Sequence, residues 1–87
     1  MQPIPKSINE AVEILLSQMP ADFKHALRSK KKKDLICYHF GWGLSIRSVF
    51  NLWDGNNELL KDTGTFDADD ASMIIIEAVW KRLQQEP

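Results

Sequence analysis

His39, Arg47, Trp53 and Asp54 are the one set of mixed polar and aromatic side chains in this chain that could do chemistry together. On a continuous helix His39, Gly43 and Arg47 share a line at i, i+4 and i+8, and Trp53-Asp54 sits in the turn that follows. Such a set could hold a carboxylate or phosphate through the planar fork of Arg47. It could equally be a buried brace. Arg47 keeps its charge wherever it is placed, so under cover it must find oxygen acceptors, and a buried His39 needs at least one hydrogen bond. The acceptors offered are Asp54, Glu58, Asp62, Asp69 and Asp70, with the connection 54–62 or the start of the last helix favoured. The brace is the preferred reading, and a binding or catalytic site the alternative.

Other constellations are weaker. A hydrolytic site needs a nucleophile beside a base, and Cys37 and Ser45 point to other sides of the same helix from His39. Asp54, Asn56 and Glu58 suggest a calcium loop, but the twelve-residue spacing with glycine at six and glutamate at twelve is absent. Asp67, Asp69 and Asp70 read as a helix cap and first turn, where the helix dipole favours carboxylates. Lys30, Lys31, Lys32 and Lys33 read as a solvated connection, with a patch for an anionic partner as the alternative. No catalytic residue, metal site or cofactor is expected.

The elements that must position these residues are helical. Residues 34–54, DLICYHFGWGLSIRSVFNLWD, carry two of the three tryptophans and read as part of a central helix over about 32–51. At ~100° per residue, Leu35, Ile36, Phe40, Ile46 and Phe50 share an arc of roughly 200°, with Trp42 and Val49 at one edge and Leu44 at the other. That is wider than the stripe of a surface helix and predicts cover on two or three sides. Asn51 and the run Asp54-Gly55-Asn56-Asn57 are turn residues, and Leu52 and Trp53 should fold back onto the helix.

Upstream, 1–6 reads as an extended arm and 7–87 as one helical domain. Ser7 and Glu10 form a capping box for a helix over 7–19, and Pro20 separates it from one over 21–29. Downstream, 57–61 is one short helical turn, Phe66 anchors a loop, and Asp67 caps a last helix over 68–85. The fold class is therefore all-α, a compact bundle of about four helices plus one short turn.

Composition sets bounds on function. A chain of 87 residues supports one modest core. A net charge of −1 gives no general attraction to nucleic acid or to an anionic membrane, and no run approaches the ~20 apolar residues of a membrane span. The first residues lack the basic start and apolar core of a signal peptide. Cys37, the single cysteine, has no internal disulfide partner, so a reducing cytoplasm is the expected location.

The blocks His39-Phe40-Gly41-x-Gly43, Ile46-Arg47, Leu52-Trp53, and Asp69-Asp70-Ala71-Ser72 leading into 74–80 occur in one order, after an opening Ile4-Pro5-Lys6-Ser7 with Ala11. In these features the chain resembles a small bacterial domain family of unknown function, DUF6794, over nearly its whole length; the lysine run is the departure. The resemblance implies a fold and a set of residues but no activity. Two classes of function remain. The expected one is a non-enzymatic protein-interaction or regulatory module, of adaptor or immunity type, whose partner is another protein. The alternative is a small-molecule or anion-binding or catalytic domain built on His39 and Arg47. Nucleic-acid binding through the lysines is a lesser reading.

Overall fold

The computed structural model describes residues 4–86. Capping chemistry sets where its helices begin. Ser7 Oγ accepts from the Glu10 amide at 3.1 Å and opens α1, Ile8–Gln18. Asp62, far along the chain, accepts from the Ile8 amide at 2.7 Å and sets a carboxylate at the positive end of the same helix. Pro20 precedes α2, Ala21–Arg28. The lysine run leads into a 3-10 helix, Lys32–Tyr38, and the chain continues through α3, Trp42–Val49. Asn56 caps α4, Asn57–Thr63, which ends on Gly64 at φ 88°, a left-handed conformation that glycine adopts without strain. Asp67 Oδ1 accepts from the Asp69 amide at 2.9 Å and opens α5, Ala68–Gln85. No strand occurs among the described residues, so the fold is all-α.

The hub of the bundle is α5. It packs against α1, α2, the 3-10 helix, α3 and α4. Ala71, Ile75, Val79 and Leu83 recur every four residues along it, Ser72 and Ile76 widen the stripe, and all six are buried. Around them close Ala11 and Val12 of α1, Leu27 of α2, Leu35 of the 3-10 helix, Ile46 of α3, and Leu59 and Leu60 of α4. Phe50 and Leu52 fill the space under the turn after α3.

The continuous central helix expected over 32–51 is instead two elements with a break at 39–41. Gly41 takes φ −98° and ψ −87°, outside the helical region. Two glycines flank Trp42, each costing about 1 kcal/mol relative to alanine in a helix interior. Trp42 meets Phe23 and Tyr38 edge-on, at ring distances of 5.1 and 5.7 Å, so three aromatic rings turn the corner between α2, the 3-10 helix and α3. A 3-10 helix has three residues per turn, so a wheel drawn at 3.6 loses phase across it. Leu35, Ile46 and Phe50 point inward as expected, but Ile36, Phe40, Leu44 and Val49 are exposed. Leu52 folds back into the core, Trp53 folds back over Arg47 of α3 but stays half exposed, and Phe66 stands in solvent rather than anchoring its loop. Of the expected arm, residues 1–3 lie outside the described residues; Pro5 is buried and its carbonyl accepts from Asn56 Nδ2 at 3.0 Å. No helix among the described residues is long and apolar enough to cross a membrane.

Candidate functional site

Arg47 lies in the last turn of α3 and is only 3% exposed. Its guanidinium holds three segments together. Nη1 donates to Ser72 Oγ at 2.9 Å, on α5. Nη2 donates to the main-chain carbonyl of His39 at 2.9 Å, across the helix break. Nε stands 3.4 Å from Asp69 Oδ1, near enough for an ion pair but without the alignment of a hydrogen bond. The Asp69 side chain is more than half exposed, so solvent weakens that pair, and the hydroxyl and carbonyl are the firmer holds. Ser72 Oγ donates onward to the Asp69 carbonyl at 2.8 Å, which fixes its lone pairs toward Arg47. The Trp53 ring covers the cation from outside, with Cζ 5.8 Å from its centroid, within the range of a cation–π contact.

Gly43 makes this packing possible. A Cβ there would stand 3.2 Å from the Tyr38 carbonyl oxygen and 3.3 Å from Arg47 Nη1. His39 takes part through its backbone. Its ring stacks edge-on against Phe40 at 4.8 Å, and Nδ1 is buried without a hydrogen-bond partner. The break at 39–41 means that His39, Gly43 and Arg47 do not share one helical line. Asp54 is not part of the assembly: it is exposed in the turn, and its carboxylate makes no ion pair or hydrogen bond among the described residues. The structure thus brings His39, Arg47 and Trp53 together, leaves Asp54 outside, places Asp69, one of the acceptors expected at the start of the last helix, beside Arg47, and adds Ser72. In the sequence Ser72 appeared only as the last residue of the Asp69-Asp70-Ala71-Ser72 block; the signal that could have found it is its hydroxyl on the apolar side of the last helix, since a buried hydroxyl requires a partner.

The arrangement has the geometry of a brace. No nucleophile stands beside a base in it, and its guanidinium nitrogens face protein oxygens or a ring. Among the described residues no group of three or more His, Cys, Asp or Glu could hold a metal ion. Three surface grooves among the described residues are lined by neither His39 nor Arg47. One, of about 260 Å³, runs between α1, the start of α2 and α3, and is lined by Leu15, Met19, Phe23, Trp42 and Val49 among others. A second, of about 240 Å³, lies between the 3-10 helix and α5. The third, of about 380 Å³, lies beside Ile4, Pro5 and Ile14. At the aromatic corner, burial raises the Tyr38 phenol above its ordinary pKa, and the neighbouring Cys37 adds to the effect.

The chain belongs to the family described as a domain of unknown function (DUF6794), which matches residues 4–83. No curated protein and no solved structure matches it. The matched span contains the whole Arg47 assembly, the break at 39–41 and most of α5.

Proposed function

We propose that this member of the family is a non-enzymatic interaction or regulatory module, of adaptor or immunity type, that works by binding another protein in a reducing cytoplasm. The observation that carries the reading is where apolar surface is left uncovered. Scattered exposed apolar residues are normal. Here five of the seven large exposed ones among the described residues, Ile36, Phe40, Leu44, Val49 and Trp53, fall within one stretch of the chain. Phe40 meets the His39 ring edge-on yet remains 84% exposed. The most reactive-looking side chain, Arg47, is meanwhile engaged inside the fold. Exposed apolar groups concentrated this way fit a surface that a partner covers.

Affinity capture from the native host with mass spectrometry tests the reading, run in parallel with wild-type protein and Phe40→Ser. That change is at an exposed site and should leave stability within about 0.5 kcal/mol. A protein retained by the wild type and lost by the variant is the expected result. Identical sets of proteins on both would overturn it.

A second reading, an anion-binding site at His39 and Arg47, is favoured by one observation: His39 Nδ1 and Arg47 Nε have no hydrogen-bond partner. A ligand there would have to displace Asp69. It predicts that phosphate or a small carboxylate raises the melting temperature of the wild type but not of Arg47→Lys, and no shift in either protein would remove it.

A further inference from the structure

We propose that the groove between the 3-10 helix and α5 docks a short acidic segment of a partner protein, with an aliphatic or aromatic side chain of that segment entering the groove and its carboxylates meeting a lysine rim. The proposal rests on the interaction-module reading and names the site and the partner's chemistry.

The lysine run is not a loose connection. The Trp80 indole donates to the Lys30 carbonyl at 2.8 Å, which holds the start of the run against α5, and Lys32 Nζ stands 3.5 Å from Glu77 of the same helix. Lys81 approaches the other oxygen of Glu77 at 3.3 Å. One carboxylate is therefore shared by two lysines, and Lys33 has no ion pair among the described residues. Counting Asp34 as well, five lysines gather here against two carboxylates, while the remainder of the chain carries six basic and ten acidic residues. The near-neutral total conceals a local excess of lysine beside this groove. Holding like charges together in this way is unfavourable unless counter-charge is supplied.

The floor of the groove is apolar. Leu35, Ile36, Met73 and Ile74 line it, with Lys32, Lys33 and Glu77 at its edge. Ile36 is 64% exposed, and Leu35 beneath it is buried. A volume of about 240 Å³ accommodates one large side chain rather than a small-molecule ligand of the usual size. A recessed apolar floor with a positive rim suits a peptide that presents one anchor between carboxylates, because the anchor supplies burial and the charges supply approach and orientation. The groove beside Leu15 and Trp42 has no comparable charge at its edge and so gives no indication of an occupant.

The test is selection of displayed random dodecamer peptides on the folded protein, followed by synthesis of the most enriched one. Aspartate and glutamate flanking a leucine, isoleucine or phenylalanine should be enriched. Binding of the labelled peptide, read by fluorescence anisotropy, should weaken with salt. It should weaken by about tenfold in Lys33→Glu and in Ile36→Ser, both exposed positions whose circular dichroism melts should not change. Peptide-induced amide shifts should centre on 32–36 and 73–77. Neutral or basic peptides, or shifts centred on the Leu15 and Trp42 groove, would overturn this site while leaving the interaction-module reading standing. Binding to phosphatidylserine vesicles with no peptide enriched would overturn both. An absence of any enriched peptide and of vesicle binding would overturn the groove, and the capture experiment then decides the broader reading.

Discussion

Arg47 shows how one buried cation can fasten a helix break. It cannot lose its proton, so its position depends on the acceptors it finds. Arg47→Leu keeps much of the bulk but leaves the Ser72 hydroxyl and the His39 carbonyl without a donor. We expect a loss of about 1–3 kcal/mol by urea denaturation, and a smaller one for Arg47→Lys, whose ammonium cannot span both acceptors as the fork does; an unchanged midpoint for both would disprove the brace. Gly43 supplies a second test. Alanine should favour a helix by about 1 kcal/mol. Its Cβ would press at once on a main-chain oxygen and on a guanidinium pinned at both ends. Gly43→Ala should therefore destabilise by about 1 kcal/mol, and by less in the Arg47→Leu background, where one of the two clashes is gone. Strict additivity of the two changes would show that the close approach does not matter. The need for acceptors was legible in the sequence, because a covered arginine demands them. The His39 carbonyl was not, since main-chain oxygens leave no mark on residue type.

Away from the faces that pack on α5, the corners of this fold depend on single side chains. Asn56 is one. Its Nδ2 donates to the Phe50 carbonyl at 2.8 Å and to the Pro5 carbonyl at 3.0 Å, while Oδ1 caps α4 at the Leu59 amide, 3.3 Å away. Asn56→Asp preserves the cap but turns a carboxylate toward two carbonyl oxygens. A loss of about 2 kcal/mol is expected, in thermal melts, where a simple surface change would give far less; a neutral outcome would mean that the two donor bonds carry no net stability. The sequence marks Asn56 as a turn residue; its bond to the Pro5 carbonyl, 51 residues away, left no mark, because a main-chain oxygen does not show in residue type. The aromatic corner makes a pH prediction. The Tyr38 phenol is raised in the folded state, by burial first and by Cys37 second. A raised pKa favours the protonated form in the native protein, so its contribution is complete below pH ~10, the ordinary tyrosine value, and is lost as pH rises from there through the folded pKa. Wild-type protein should lose stability in that alkaline range more steeply than Tyr38→Phe, as read by urea midpoints across pH; parallel curves would show that Tyr38 ionisation is uncoupled from folding. This corner also hid the break. The spacing of Ile36, Phe40 and Leu44 imitates a buried stripe, yet two glycines and a stack of three rings redirect the chain between them.

On the scale of the whole molecule, the helical class followed from caps and periodicity, since Ser7, Asp67 and the four-residue stripe of α5 are each local signals. The identity of the hub did not follow. A buried stripe on one helix looks the same from sequence whether two neighbours cover it or five. Charge distribution was likewise concealed by the total of −1, because lysines consecutive in sequence and Lys81 from α5 combine only in the folded chain. The last prediction separates the stability of that lysine cluster from its use. Lys31 makes no ion pair among the described residues, and Lys32 meets Glu77 at 3.5 Å with both side chains substantially exposed. Exposed pairs of this kind contribute about 0–1 kcal/mol. Glu77 would keep Lys81 at 3.3 Å after Lys32 is changed, and removing two like charges relieves repulsion within the run. Lys31→Gln combined with Lys32→Gln should therefore leave the urea midpoint within about 0.5 kcal/mol of wild type while weakening capture of acidic peptides. A large fall in melting temperature would instead mean that the lysines hold the 3-10 helix to α5 as part of the packed structure, and the rim would then be a structural feature rather than a docking one.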